Sequence, residues 1–261
     1  VRPSVSAVAA TYEGAHSADE QTRKIFRVRS PLCDTEVNRF SHLHQSPQDL
    51  MNKVIMQRRC GNLTGCCFQR CVGMDAANAV FSVSFECDRK HKTQYHERFK
   101  NYWRRIQTED LVVDGAMTDP KGDRGKRPKD QKDPDMYLRI VKRKSDGVVV
   151  RGAKLHQTGM LNSHELMVMP TINLRPGEED WSISFAMPTN TPGIKYIYGR
   201  QTSDTRKLEE FNMDVGNIKF GGQEVMTVFD DVFVPDDRIF LCGETDFSGL
   251  IVERFAAYHR Q

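Results

Sequence analysis

The chain has 261 residues, 38% hydrophobic and 28% charged, with a net charge of +3. That composition excludes a disordered tail, and the near balance of charge gives no argument for a nucleic-acid partner. No apolar run approaches the ~18 residues that a membrane span needs, and Val1-Arg2-Pro3-Ser4 opens no signal-peptide core, so a cytoplasmic protein with no membrane partner is expected.

Residues 1–115 predict a helical domain. The segment 46–60 opens on a Ser/Asp-type cap and carries Leu50, Val54, Ile55 and Met56 at helical spacing. Residues 64–83 continue the pattern with Phe68, Val72, Ala76, Ala79 and Val80. Residues 88–109 repeat it with Tyr95, Phe99, Tyr102, Trp103 and Ile106. A loop rich in Gly, Pro, Lys and Asp then fills 115–134. Beyond it, short strand-like runs fall at 136–141, 147–151, 165–169, 181–187, 195–198 and 224–234, separated by Gly, Pro, Asn and Asp. They predict a small β-barrel or sandwich over 116–240. Residues 241–261 read as the start of a further helical domain, with Leu250, Ile251, Phe255 and Tyr258 turned toward a core. The chain has no initiator Met and its last helix has no Gly or Pro stop, so it reads as a piece of a longer protein. The fold class expected is α+β.

Seven cysteines are an odd number, and five of them fall between 60 and 87. That clustering suits reduced thiols rather than a secreted disulfide framework. Cys67 and Cys71 stand four apart, which on a helix sends both sulfurs from one face. A soft metal or an iron–sulfur cluster needs thiolates converging from one side, and two of them do not suffice. Met74 stands where a radical-SAM motif would have its third Cys, and no second Cys pair follows to complete a zinc site. On spacing alone, the plainer reading is two buried thiols packed as small apolar residues.

Other candidates lie downstream. His259 sits on the last helix as a metal ligand, a base or a packed side chain. The loop 117–125, with Met117, Thr118, Asp119, Lys121 and Arg124, gathers backbone NH groups, a hydroxyl and two cations suited to a phosphate or an electron-rich ring, or is simply solvated. His156, Gln157 and Thr158 occupy a polar turn that can bond a cofactor's heteroatoms or its own backbone. Glu224 follows Gly221-Gly222-Gln223 and enters an apolar run, where a carboxylate can serve as general acid or base, or sit in water at a strand edge.

These stretches together resemble the 4-hydroxybutyryl-CoA dehydratase/vinylacetyl-CoA delta-isomerase family, within the wider 4-hydroxyphenylacetate 3-monooxygenase superfamily. The resemblance is carried by CCFQRCVGMDAANAVF (66–81), LVVDGAMTDPKGDRG (111–125), VVVRGAKLHQTGMLNSHE (148–165), YGRQTSDTRKLEE (198–210), FGGQE (220–224) and DRIFLCGETDFSGLIVERFAAYHRQ (237–261). It implies an acyl-CoA dehydrogenase-like fold whose C-terminal helical bundle lies beyond this chain, FAD and a 4Fe-4S cluster as cofactors, an acyl-CoA substrate and a homotetramer. Cys67, Cys71 and His259 match cluster ligands, with a fourth Cys expected about seven residues past His259. His259 and Glu224 match catalytic residues. Met117, Thr118, Asp119, Lys121 and Arg124, with His156, Gln157 and Thr158, match flavin contacts. The implied reaction is radical dehydration of 4-hydroxybutyryl-CoA to crotonyl-CoA, with isomerisation of vinylacetyl-CoA. The alternatives are a flavin-dependent monooxygenase without a cluster, and an inactive, cofactor-free fragment. Cys60 and Cys66 match no ligand.

Overall fold

A computed structural model gives the fold and describes residues 2–199 and 219–259. Residues 200–210 of the 198–210 stretch lie outside the described residues, as do Arg260 and Gln261 of the last stretch. The architecture is α+β. Helices α1 (Arg2–Ala15), α2 (Glu20–Phe26), α3 (Pro47–Thr64), α4 (Cys71–His91) and α5 (Tyr95–Thr108) come first, with a short hairpin of β1 (Arg27–Arg29) and β2 (Glu36–Asn38) between α2 and α3. The strands β3 (Val113–Ala116), β4 (Arg139–Lys144), β5 (Gly147–Lys154), β6 (Glu165–Val168), β7 (Ile183–Pro188), β8 (Ile194–Tyr198), β9 (Val225–Pro235) and β10 (Ile239–Cys242) follow, and α6 (Thr245–His259) ends the described chain.

The strands form two four-stranded sheets, in the orders β10-β7-β6-β3 and β4-β5-β9-β8. Of the barrel or sandwich expected, the barrel is corrected: among the described residues neither sheet closes on itself. β3 and β10 escaped the sequence reading because each has only four residues and shows no alternation. β3 is buried at all four positions and pairs in parallel with β6. A strand covered on both faces carries no period-2 signature.

Local chemistry sets the helix ends. Ser46 and Asp49 make a reciprocal capping box on α3, Pro47 takes the first turn, and Gly65 closes the helix in the left-handed conformation (φ 62°). Lys92 ends α4 the same way, and the Asp88 carboxylate accepts the backbone N–H of Tyr95 and His96 at 2.9 Å to start α5. The continuous helix expected over 64–83 is corrected here. Gly65 stops α3, so Cys67 lies in a turn and Cys71 opens the next helix.

One core joins helices and sheets. It runs from Ala76, Val80 and Val83 of α4 and Phe99, Trp103 and Ile106 of α5 to Leu166, Phe185, Phe229 and Phe240 of the sheets and Phe255 of α6. α4 meets β3 at backbone distance: a Cβ on Gly73 would stand 1.9 Å from the Val113 carbonyl oxygen, and one on Gly115 2.6 Å from the Val72 side chain. Only glycine permits that approach. It brings the start of α4 against the strand that carries Asp114. No helix is long and apolar enough to cross a membrane among the described residues.

Candidate active site

The turn between α3 and α4 is held by the residues between its two cysteines. Gln69 takes a left-handed conformation (φ 65°) and is buried. Its amide accepts from Ser4 Oγ at 3.0 Å and donates to the Gly221 carbonyl at 3.0 Å. Arg70 is 3% exposed; its guanidinium donates to Asp110 at 2.9 Å and lies over the Tyr12 ring at 4.8 Å. These contacts tie the turn to α1, to the start of β3 and to the segment before β9. Neither residue was singled out in the sequence, because a polar pair inside a Cys motif looks solvated until its partners are known.

Cys67 and Cys71 face each other despite lying on different elements. The neighbouring Cys71 thiol draws Cys67 down to about 7, and Cys71 is driven well above the ordinary thiol value by Cys67 and by burial. His259, at the end of α6, lies near enough to favour the Cys67 thiolate further, and the Glu224 carboxylate near enough to oppose it. Cys67, Cys71, His259 and Glu224 thus come from a turn, two helices and the entrance to β9, with His259 and Glu224 in electrostatic reach of Cys67.

His259 is oriented from behind. Its Nδ1 lies 2.9 Å from Asp75 Oδ2, and its ring stacks on Phe255 with centroids 5.2 Å apart. Asp75 sits one turn after Cys71 on α4. Its other oxygen accepts from Lys53 Nζ at 2.6 Å, and both side chains are completely buried. Lys53 also donates to the Tyr258 carbonyl. The i, i+4 spacing of Cys71 and Asp75 was available in the sequence, but nothing there linked Asp75 to a residue 184 positions away.

On the β side, the turn after β5 is paired by its backbone to the start of β9. Gln157 N–H donates to the Val225 carbonyl at 3.0 Å and Gly159 N–H to the Gln223 carbonyl at 3.1 Å. This register sets the Thr158 hydroxyl on the Glu224 carboxylate, to which it donates. Asp114 completes the cluster from β3. Burial pushes its carboxyl well above the ordinary range, and Cys67 and Glu224 push it the same way. The only sequence signal for Asp114 was an acid within an apolar stretch.

The expected flavin contacts divide. The Thr118 carbonyl accepts from Leu155 N–H at 2.7 Å and the Met117 carbonyl from Lys154 Nζ at 2.9 Å, so this loop and the turn holding His156, Gln157 and Thr158 lie side by side. Asp119 is spent within the fold: its carboxylate is 2.8 Å from Lys154 Nζ and accepts from Leu138 N–H, with both charged groups buried. Lys121 ties its backbone N–H to Met136, and Arg124 is exposed further along the loop. The amide oxygens of Gln157 and Gln223 are buried with no hydrogen-bond partner in the described structure. Such acceptors suit a ring carrying N–H donors.

All seven cysteines are free. Among the described residues no three His, Cys, Asp or Glu side chains are grouped to hold a metal ion.

The frame is α+β, with thiol, imidazole and carboxylate side chains at the start of α4, the end of α6 and the entrance to β9. The chain belongs to the family described as 4-hydroxyphenylacetate 3-hydroxylase N terminal, which matches residues 1–241. Within it, the chain is 57% identical to 4-hydroxybutyryl-CoA dehydratase/vinylacetyl-CoA-Delta-isomerase of Clostridium aminobutyricum, over 100% of this chain and 53% of that protein. The structure superposes on an oxygen-tolerant archaeal 4-hydroxybutyryl-CoA dehydratase from N. maritimus with a TM-score of 0.93 and 50% identity, covering 99% of this chain and 51% of that one. The oxygenase component of 4-hydroxyphenylacetate 3-monooxygenase complexed with FAD shares the fold at a TM-score of 0.73 and 22% identity, over 98% of this chain and 51% of that one. The chain thus spans about half the length of the relatives it matches.

Proposed function

We propose that this chain is the flavin- and cluster-binding half of an enzyme that dehydrates 4-hydroxybutyryl-CoA to crotonyl-CoA and isomerises vinylacetyl-CoA. The observation that carries the reading is the 57% identity over the whole chain to a 4-hydroxybutyryl-CoA dehydratase/vinylacetyl-CoA-Delta-isomerase. The superposition on an archaeal 4-hydroxybutyryl-CoA dehydratase supports it.

Cys67, Cys71 and His259 fit three of the four ligand positions of a 4Fe-4S cluster, and the unpaired amides of Gln157 and Gln223 fit the edge of a flavin ring. When bound, the two groups would supply one-electron chemistry and Lewis-acid help to a leaving hydroxyl. A base alone does not reach the β-hydrogen, because the thioester acidifies only the α-carbon.

The chain's own residues divide the remaining work. His259, held through Nδ1, presents Nε2 as the atom that ligates or, when released, takes a substrate proton. Glu224, pinned by the Thr158 hydroxyl, holds or passes the second proton. Cys67 supplies a thiolate at neutral pH without an added base.

The test is product formation. Anaerobic incubation of the purified holoenzyme with 4-hydroxybutyryl-CoA should give crotonyl-CoA, and Glu224→Gln should lower kcat by about 10²–10⁴-fold with flavin retained. Oxygen-dependent hydroxylation of a phenol by the reduced flavoprotein, with no crotonyl-CoA, would move the chain to the monooxygenase branch.

A further inference from the structure

Lys53 and Asp75 form an ion pair with both side chains completely buried. Such pairs rarely add net stability, because desolvating two charges offsets their attraction, and an apolar pair of similar volume often serves as well. The pair here has further contacts on two sides. Asp75 also reaches His259 Nδ1 at 2.9 Å, and Lys53 also donates to the carbonyl of Tyr258, the residue before it. Three helices meet at this point: α3 brings Lys53, α4 brings Asp75 one turn after Cys71, and α6 brings His259.

We infer that Asp75 is a positioning residue: it fixes the tautomer and ring direction of His259 by accepting its Nδ1–H, and Lys53 supports that arrangement by neutralising Asp75 and anchoring the end of α6. Which ring nitrogen of a histidine carries the proton is set by the bond the other one makes. Carboxylates behind ligating histidines do this work, and losing one typically weakens metal binding about 10–100-fold. Nothing else in the described structure accepts from His259 Nδ1. The Phe255 ring stacked on the imidazole restricts its rotation, leaving the hydrogen bond to choose the tautomer. The orienting role rests on the geometry alone; its consequence for iron rests on the function proposed above.

The experiment pairs two variants with two readouts. Asp75→Ala strands the Lys53 charge and should fold poorly, so the informative protein is Lys53→Met/Asp75→Leu, which removes both charges and should melt close to wild type. In the metal-free chain labelled with ¹⁵N-histidine, with His259 assigned from His259→Gln, NMR should find the proton on Nδ1 in wild type and chiefly on Nε2 in the double variant. In the anaerobic holoenzyme, the same double variant should lose iron to a chelator about 10–100-fold more readily while keeping FAD. A wild-type His259 protonated on Nε2, or a double variant whose His259 still carries its proton on Nδ1, overturns the inference. Iron absent from the wild-type holoenzyme would defeat the proposed function and leave the NMR result to decide the role of Asp75.

Discussion

Cys67 and Cys71 are chemically the same residue placed in two environments, and the difference is measurable. The neighbouring Cys71 thiol draws Cys67 down to about 7, while burial pushes Cys60 and Cys87 up to about 12. In the metal-free chain, iodoacetamide should therefore label Cys67 first, with a rate midpoint near pH 7, and Cys71→Ser should shift that midpoint; peptide mass spectrometry across a pH series checks it. His44 makes a second prediction at this scale. Burial drives it down to about 4, with His42 and Lys53 acting in the same direction. A neutral buried histidine contributes stability above its unfolded value near 6.5, and that contribution is lost as pH falls from there toward 4. The shift corresponds to about 3 kcal/mol. Urea unfolding at pH 7 and pH 4 should show a loss smaller by about that amount in His44→Gln. The sequence displayed the thiols, His259, Glu224 and Thr158 because each belongs to a short motif. It did not display Asp75, Lys53, Asp114 or Arg70, whose roles arise only from contacts between distant segments.

Between elements, the decisive contact is α4 against β3. The approach at Gly73 leaves no room for a Cβ, so Gly73→Ala must push the start of α4 away from Asp114 and move Cys71 with it. The expected cost is about 3 kcal/mol or more in urea unfolding, together with loss of the low thiol midpoint at Cys67. A substitution tolerated without either change would show that the two elements do not need this approach. Most elements were legible: α3 from its cap and apolar spacing, α5 from Phe99, Trp103 and Ile106, and β5 and β9 from their long apolar runs. The helix expected over 64–83 was not, because Gly65 in the left-handed conformation ends α3 before Cys67. The same stop makes the site possible. It frees Cys67 to turn back toward Cys71.

Across the whole molecule, one core binds α4, α5 and α6 to both sheets, a second cluster with Ala15, Phe26, Met56 and Met74 packs α1, α2 and α3 against α4, and the candidate residues lie at the start of α4, the end of α6 and the entrance to β9. Removing a site residue at the rim should therefore leave the fold standing, whereas breaking the buried Lys154–Asp119 pair should not. Asp119→Ala strands Lys154 and should cost about 3–5 kcal/mol in urea unfolding, while Glu224→Gln should change stability by far less. Composition and charge told little at this scale, and the family resemblance told most, because it joined motifs that the fold brings together. The proposal that Cys67, Cys71 and His259 hold a cluster beside a flavin is tested by iron, acid-labile sulfide and FAD per chain in protein purified without oxygen. About four irons, matching sulfide and one FAD are predicted. Flavin without iron would contradict the account, reducing Cys67 and Cys71 to packed thiols in a monooxygenase-like frame.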